Sequence, residues 1–264
     1  MIDLRQRTDR SLSIFHFAND YYSPYQGFYF ERTIGTRAAL NYPINTYNRL
    51  ELSTSLWHSN KDYYGDWEKR FLMSNFVSYV HDNSMWNYAG PIDGWRMRVT
   101  VGPSFNFKSS EISNYTFLGD FRYYWRFHEK ITFAHRTMSV FNGGDDVRRF
   151  YIGGSWYMRG YDYSSVRGKK FILFNNELRL PLANSLALNL GNTKIGFFPV
   201  RSAIFVDVGN AWDYDFPGFI GSFGIGIRGA FMRQLVLRLD IGKRTDFKSI
   251  QKDLFVKFFF GWNY

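Results

Sequence analysis

The chain has 264 residues, among them 28 Phe, 19 Tyr and 8 Trp, yet its mean hydropathy is only −0.33. No run of about 20 apolar residues exists, which excludes a membrane-spanning helix, whereas a spanning strand needs only about ten residues with half of them polar. Cysteine is absent, so there is no disulfide framework to read, and the formal net charge of +10 raises a nucleic-acid reading that the placement of the charges must decide.

Met1 to Arg10 contain no apolar core of the kind a secretory signal peptide carries. Ile2, Leu4 and Gln6 read as the end of a strand entering a turn at Thr8-Asp9. A barrel protein that must cross an inner membrane should begin with a signal, so either processing has removed it or, as favoured here, the chain is the C-terminal piece of something longer. Residues 1–264 then form one barrel domain, with the N-terminal strands and any periplasmic domain supplied upstream or by another chain; the alternative is that twelve strands close by themselves. Period-two alternation predicts strands near 11–22, 34–45, 47–58, 70–82, 94–107, 115–128, 131–141, 170–182, 195–209, 221–231, 235–244 and 254–264. Tight connections such as Pro43-Ile44-Asn45-Thr46 and Phe127-His128-Glu129-Lys130 alternate with long polar ones at 59–69, 83–93 and 142–169. That asymmetry belongs to an outer-membrane barrel.

The polar faces are as informative as the apolar ones. From Trp95 to Phe107 the odd positions are apolar, while Arg96, Arg98, Thr100, Gly102, Ser104 and Asn106 fill the even ones. Tyr115 to Phe127 repeats the pattern with Asp120, Arg122, Tyr124 and Arg126 on the second face. Phe223, Ile225 and Ile227 alternate with Gly224, Gly226 and Arg228, an inward face of small residues plus one charge, as expected where strands curve around a lumen. Arg37, Arg49, Arg96, Arg98, Arg122, Arg126, Arg179, Arg228, Arg238 and Lys257 all fall inward, against Glu51, Asp120, Glu177, Asp207 and Asp240. The positive charge therefore lines a wet lumen. A nucleic-acid groove would carry its aromatics on the basic face, and here they lie largely on the opposite one.

The last strand places Leu254, Val256, Phe258, Phe260, Trp262 and Tyr264 on one side, with Lys257, Gly261 and Asn263 on the other. Such a stripe wants lipid, and closing on an aromatic is routine for a transmembrane β-barrel.

The most specific signal runs from Tyr151 to Asn210. The loop 142–169 holds Ile152-Gly153-Gly154 and Met158-Arg159-Gly160-Tyr161; a strand with Asn175-Asn176-Glu177-Leu178-Arg179-Leu180-Pro181-Leu182 follows, then Ala203-Ile204-Phe205-Val206-Asp207-Val208-Gly209-Asn210. By parity Ile172, Phe174, Leu178, Leu180 and Leu182 face lipid, which turns Glu177 and Arg179 inward, and Ile204, Val206 and Val208 do the same for Asp207. Two carboxylates on neighbouring strands thus point into the lumen, where a guanidinium is the partner best shaped to satisfy them.

In this order and spacing, the motifs closely resemble the bacterial surface antigen superfamily, the BamA/TamA-type outer-membrane barrels. The resemblance spans about residues 30–264 and is sharpest after Tyr151; Asp82-Asn83, Gly90-Pro91 and Gly94-Trp95-Arg96 also look like the family's middle strands. Met158 departs from the family's usual Val. The resemblance implies that the loop folds back into the barrel so that Arg159 bonds Glu177 and Asp207, and that Gly153, Gly154 and Gly160 allow the close approach this needs. It implies a 16-stranded antiparallel transmembrane β-barrel of which about twelve strands lie here, in the outer membrane of a Gram-negative bacterium. The implied role is insertion of outer-membrane proteins or translocation of proteins across that membrane. The partners would be outer-membrane lipid and lipopolysaccharide, unfolded outer-membrane or secreted polypeptides and accessory envelope proteins, with no nucleic acid and no cofactor.

A passive pore, or a membrane anchor for a larger complex, would use the same architecture without gating. Enzyme readings fare poorly: the five histidines are scattered, no His-Glu-x-x-His run exists, and His81 and Asp82, adjacent on one strand, point to opposite faces.

Overall fold

A computed structural model describes residues 8–23, 27–63, 66–87, 90–144, 149–163, 165–190, 193–231 and 235–262. These contain sixteen strands: β1 (Asp9–Ser23), β2 (Gly27–Pro43), β3 (Asn48–Tyr63), β4 (Asp66–Asp82), β5 (Met85–Asn87), β6 (Gly90–Asn106), β7 (Glu111–His128), β8 (Ile131–Gly144), β9 (Phe150–Tyr151), β10 (Arg167–Gly168), β11 (Lys170–Ala183), β12 (Leu186–Leu190), β13 (Thr193–Trp212), β14 (Ile220–Phe231), β15 (Leu235–Thr245) and β16 (Phe255–Trp262). No helix among the described residues is long and apolar enough to cross a membrane. One sheet carries the hydrogen-bonded order β1-β2-β3-β4-β6-β7-β8-β11-β13-β14-β15-β16, with β5 on β6 and β12 on β13, while β9 and β10 pair as a separate ribbon.

The described residues fall into two compact units, one drawn from Met1–His81, Arg98–Leu118 and Asn142–Arg148, the other from Asp82–Met97, Gly119–Phe141 and Arg149–Tyr264. In the first, Leu12, Ile14, Ile34, Leu52, Leu56, Phe71 and Val77 are exposed on the outer face. Its inner face is polar and internally bonded. The Ser59 hydroxyl donates to Glu31 at 2.5 Å, the hydroxyls of Ser74 and Ser104 lie 2.8 Å apart, and Glu51 takes Arg49 at 2.8 Å and Arg98 at 2.7 Å. In the second unit the outward stripe runs through Tyr123, Trp125, Ile204, Val206, Ile225, Ile227, Leu239, Val256, Phe258 and Phe260, while Tyr124, Phe205, Asp207, Val236 and Asp240 are buried on the other face. A soluble sheet hides its apolar face; here that face is the exposed one, so its solvent is hydrocarbon.

All twelve predicted strands form, and the differences lie at their ends. Residues 59–69 are not a long loop: β3 and β4 pair from Asn48↔His81 up to Tyr63↔Asp66. The strands run on past the apolar stripe, where both faces are polar and the period-two signal vanishes although the backbone ladder continues. Likewise much of 83–93 is a small hairpin of β5 on the start of β6. β12 was unforeseen; it folds onto the start of β13 with Leu186↔Phe197. Met1 to Arg7, including Ile2, Leu4 and Gln6, lie outside the described residues, Thr8 is a bend and β1 begins at Asp9.

Ile225 sits midway along β14 on the outer face and is 61% exposed. Arg in its place should lower folding stability by about 2–4 kcal/mol, the cost of a charge near the middle of a bilayer. Urea titration in phospholipid vesicles measures this; a loss under about 0.5 kcal/mol would mean that this face does not meet lipid.

Candidate functional site: a loop folded onto the inner face

The site is built by the segment between β9 and β10. The two short strands pair as a stem, Arg167↔Tyr151 and Gly168↔Phe150. Beyond them the chain doubles back on itself: the Met158 N–H donates to the Ile152 carbonyl at 2.9 Å and the Gly154 N–H to that of Tyr161 at 2.8 Å. The side chains of Ile152 and Met158 are fully buried beneath this fold. Two glycines are needed for steric reasons. A Cβ at Gly153 would overlap the Asp162 carbonyl, and Gly160 has φ +86° with its missing side chain directed at the Phe255 ring.

Asp213, just past β13, ties down the foot of the stem by accepting from Arg149 Nε at 2.9 Å and from the Lys169 N–H at 3.0 Å. Partial burial pushes its carboxyl up, but the Arg149 and Lys169 donors outweigh that and hold it below the usual aspartate range.

Arg159 carries the loop onto the sheet. Register places Asn175 opposite Asp207 and Glu177 opposite Phe205, so the two carboxylates are diagonal neighbours, about 7–8 Å apart at the backbone. That spacing leaves room for one planar cation between them. Asp207 Oδ2 accepts from the Arg159 N–H at 3.0 Å and from its Nε at 2.7 Å; Oδ1 accepts from Nη2 at 2.7 Å and from Asn175 Nδ2 at 2.8 Å. This fills the roughly four acceptor sites of a carboxylate. The remaining Nη1 donates to Glu177 Oε2 at 2.8 Å, and the guanidinium lies 3.8 Å over the Phe205 ring centroid. Arg159 is 4%, Glu177 5% and Asp207 0% exposed, so none of these charges has water as an alternative.

The inner face also holds the loop by its backbone. The carbonyls of Ser155, Trp156, Tyr157 and Gly160 accept, in turn, from Arg238, from Arg136 at 3.2 Å, from Asn175 at 2.6 Å and from Arg244 at 2.6 Å. Tyr161 donates its hydroxyl to the Gly221 carbonyl at 3.1 Å, Asp162 pairs with Lys257 at 2.8 Å, and Trp156 packs edge-on against Phe259. A loop whose polar backbone is turned inward must find such acceptors and donors.

Of the residues singled out in the sequence, Gly153, Gly154, Met158, Arg159, Gly160, Tyr161, Glu177 and Asp207 therefore meet at one place. Phe258 and Phe260 lie elsewhere, on the outer face of β16; Trp262 closes that strand opposite Leu235, and Tyr264 lies outside the described residues. Sequence reasoning missed Arg136, Asn175 and Arg244 as loop anchors and Phe205 as the floor under the guanidinium. Inward parity marks all of these positions but names no partner for them. His81 and Asp82 serve separate contacts, His81 with Asn48 Oδ1 at 2.7 Å and Asp82 with Ser84 and Arg96.

Antiparallel strands, apolar outside and charged inside, with a loop strapped to the charged face, define a transmembrane β-barrel with an inward-folded loop. The Omp85 superfamily domain matches residues 3–261, and the chain belongs to that superfamily. It is an outer-membrane β-barrel chain of the class its loop motif resembles. Among solved structures it is similar to BamA from Haemophilus ducreyi lacking POTRA domains 1–3, with 14% identity and a TM-score of 0.74 over 96% of this chain and 59% of that one. It is also similar to CdiB from Acinetobacter baumannii, at 17% identity and TM-score 0.59 over 96% of this chain and 47% of that one. CdiB from Escherichia coli gives 14% and 0.58, over 95% and 49%. The chain thus spans 47–59% of the length of the structures it matches. No curated protein matches the sequence.

Replacing Arg159 by Ala leaves the buried Asp207 carboxylate without its cation and should destabilise the fold by about 3–5 kcal/mol. Arg159→Lys keeps the charge but cannot reproduce the fork, and should expose the loop to chymotrypsin at Tyr157 and Tyr161 in detergent micelles at least about tenfold faster than in the unaltered protein. An unchanged cleavage rate would show that the fork does not hold the loop. Acid should loosen the stem separately. Because the folded-state pKa of Asp213 is depressed, its contribution is complete above the ordinary aspartate value of about 3.9 and is lost as pH falls through the lower folded value. Amide exchange of the Lys169 N–H, corrected for intrinsic rate, should accelerate across that interval, and protection unchanged down to full protonation would remove Asp213 from this role.

Proposed function

We propose that this barrel inserts polypeptides into the outer membrane or translocates them across it. The observation that carries this reading is the buried Arg159 fork holding an internal loop against β11 and β13. A passive pore has no use for three buried charges spent on strapping a loop across its own inner face. A barrel whose inner face must be held in one arrangement while its edge is used does.

The edge this reading uses is the seam of the first and last strands, β1 and β16, the two ends of the strand order. Among the described residues β16 pairs with β15 from Leu235↔Trp262 to Gly242↔Phe255 and ends the strand order. Backbone donors and acceptors on its other side form a template to which an incoming strand can add by β-augmentation. Phe258 and Phe260 keep this template in the bilayer, so the added strand arrives with its apolar side chains already facing hydrocarbon. On this reading the substrates are unfolded outer-membrane or secreted polypeptides, the surroundings are outer-membrane lipid and lipopolysaccharide, and accessory envelope proteins deliver the substrates.

Arg159→Ala and Glu177→Ala, expressed in place of the native protein, should reduce the assembly or secretion of its client proteins by at least about tenfold while the barrel itself remains in the outer membrane. Client levels are read by immunoblot of outer-membrane fractions and culture medium. Normal levels in both variants would exclude the proposed role, and a planar-bilayer conductance unaffected by deleting 152–166 would then identify a passive pore or anchor.

A further inference from the structure

Three arginines share one rung of the sheet. Arg201 on β13 is directly opposite Arg228 on β14, and Arg228 is directly opposite Arg238 on β15. Cross-strand neighbours stand about 4.5–5.5 Å apart at Cβ, and like charges so placed repel. All three point to the inner face, with Arg201 7% and Arg228 5% exposed, so water screens them little.

The carboxylates nearby do not balance this rung. Glu177 is shared by Arg159, Arg179 and Arg228; Asp240 takes Arg238 at 2.8 Å. Arg201 has no carboxylate within 4.0 Å among the described residues, and the buried Arg228 Nε has no hydrogen-bond partner there. Arg228 and Arg238 form one wall of a cavity of about 580 Å³, whose lining also includes Arg122, Arg136, Arg159 and Arg179, with Tyr124, Trp156 and Tyr157 between them. Among the described residues the carboxylates paired with those six guanidiniums are Asp120, Glu177, Asp207 and Asp240, which leaves an excess of two positive charges.

From this geometry we infer that the cavity is a binding site for a phosphate-class oxyanion, seated over the Arg228–Arg238 rung. A dianion matches the excess charge. Its unprotonated oxygens accept hydrogen bonds, which suits a wall of guanidinium donors. The cavity is larger than a bare phosphate needs, and its aromatic walls leave room for a sugar or similar group carried on the phosphate. This site does not rest on the proposed role in protein assembly: it is read on purified protein, whereas that role is read on client levels in cells.

Titration calorimetry of the full chain in zwitterionic detergent, with inorganic phosphate as the probe against a chloride background of matched ionic strength, tests the inference. Saturable one-to-one binding is expected. Arg228→Gln and Arg238→Gln should each weaken it at least about tenfold, the loss of one charge-assisted contact, while Lys248→Gln, on an exposed turn, should leave it unchanged. If Arg228→Gln does not fold, Arg238→Gln carries the test. No saturable heat from phosphate, or equal affinity in the folded arginine variants and the unaltered protein, would overturn the site. A hexose phosphate binding more than about tenfold tighter than inorganic phosphate would support it and identify the anion as a group carried on a larger molecule; equal binding would support a free ion.

Discussion

Each strand of this protein separates two solvents. Side chains alternate strictly, so a residue that faces hydrocarbon fixes its neighbours as inner residues, and a one-residue slip would move every charge into lipid. For Arg228 or Asp207 on the lipid face the cost would be several kcal/mol, far more than any local propensity can offset. Register is therefore over-determined along the apolar stripe, and that fixed register brings Glu177, Asp207 and the arginine rung into one neighbourhood without any of them being close in sequence.

Inside, the governing constraint changes from hydrophobicity to charge balance. Buried charges must be neutralised or hydrogen-bonded, and the inner face does this by sharing: Asp120 serves Arg122 and Arg136, Glu177 serves Arg159, Arg179 and Arg228, and Glu51 serves Arg49 and Arg98. Arginine suits such sharing because its fork offers donors in several directions while its charge never titrates away. The loop enters this network as one more member, with its backbone carbonyls received by Arg136, Arg238 and Arg244. Loop and sheet are thus a single electrostatic unit on this face.

What was legible in the sequence follows the same division. Where lipid imposes period two, as in Tyr115 to Phe127 or Leu235 to Ile241, the strands and their facing could be read directly. Where strands leave the stripe, as in residues 59–63 and 66–69, the pattern is lost and a continuing ladder looks like a polar loop. The inward parity of Glu177 and Asp207 was legible for that reason. The partners of Asn175 and Arg244 were not, because both lie across a loop whose path depends on contacts rather than on periodicity. The row Arg201, Arg228 and Arg238 was equally hidden: alternation gives the face of each residue, but only register gives the rung.

The Arg159 fork is better understood as a latch than as a source of stability. Burying three charges is costly, and well-packed apolar groups of the same volume often stabilise a fold as much or more. An apolar plug, however, would hold the loop through contacts that weaken gradually as it moves. The fork offers two discrete conditions: fully satisfied, with every Asp207 acceptor site occupied, or broken, with the buried Asp207 left without a cation. That energy profile holds the loop in one position, because no partial displacement keeps the Asp207 contacts. The sequence places that latch on the strands that carry Glu177 and Asp207.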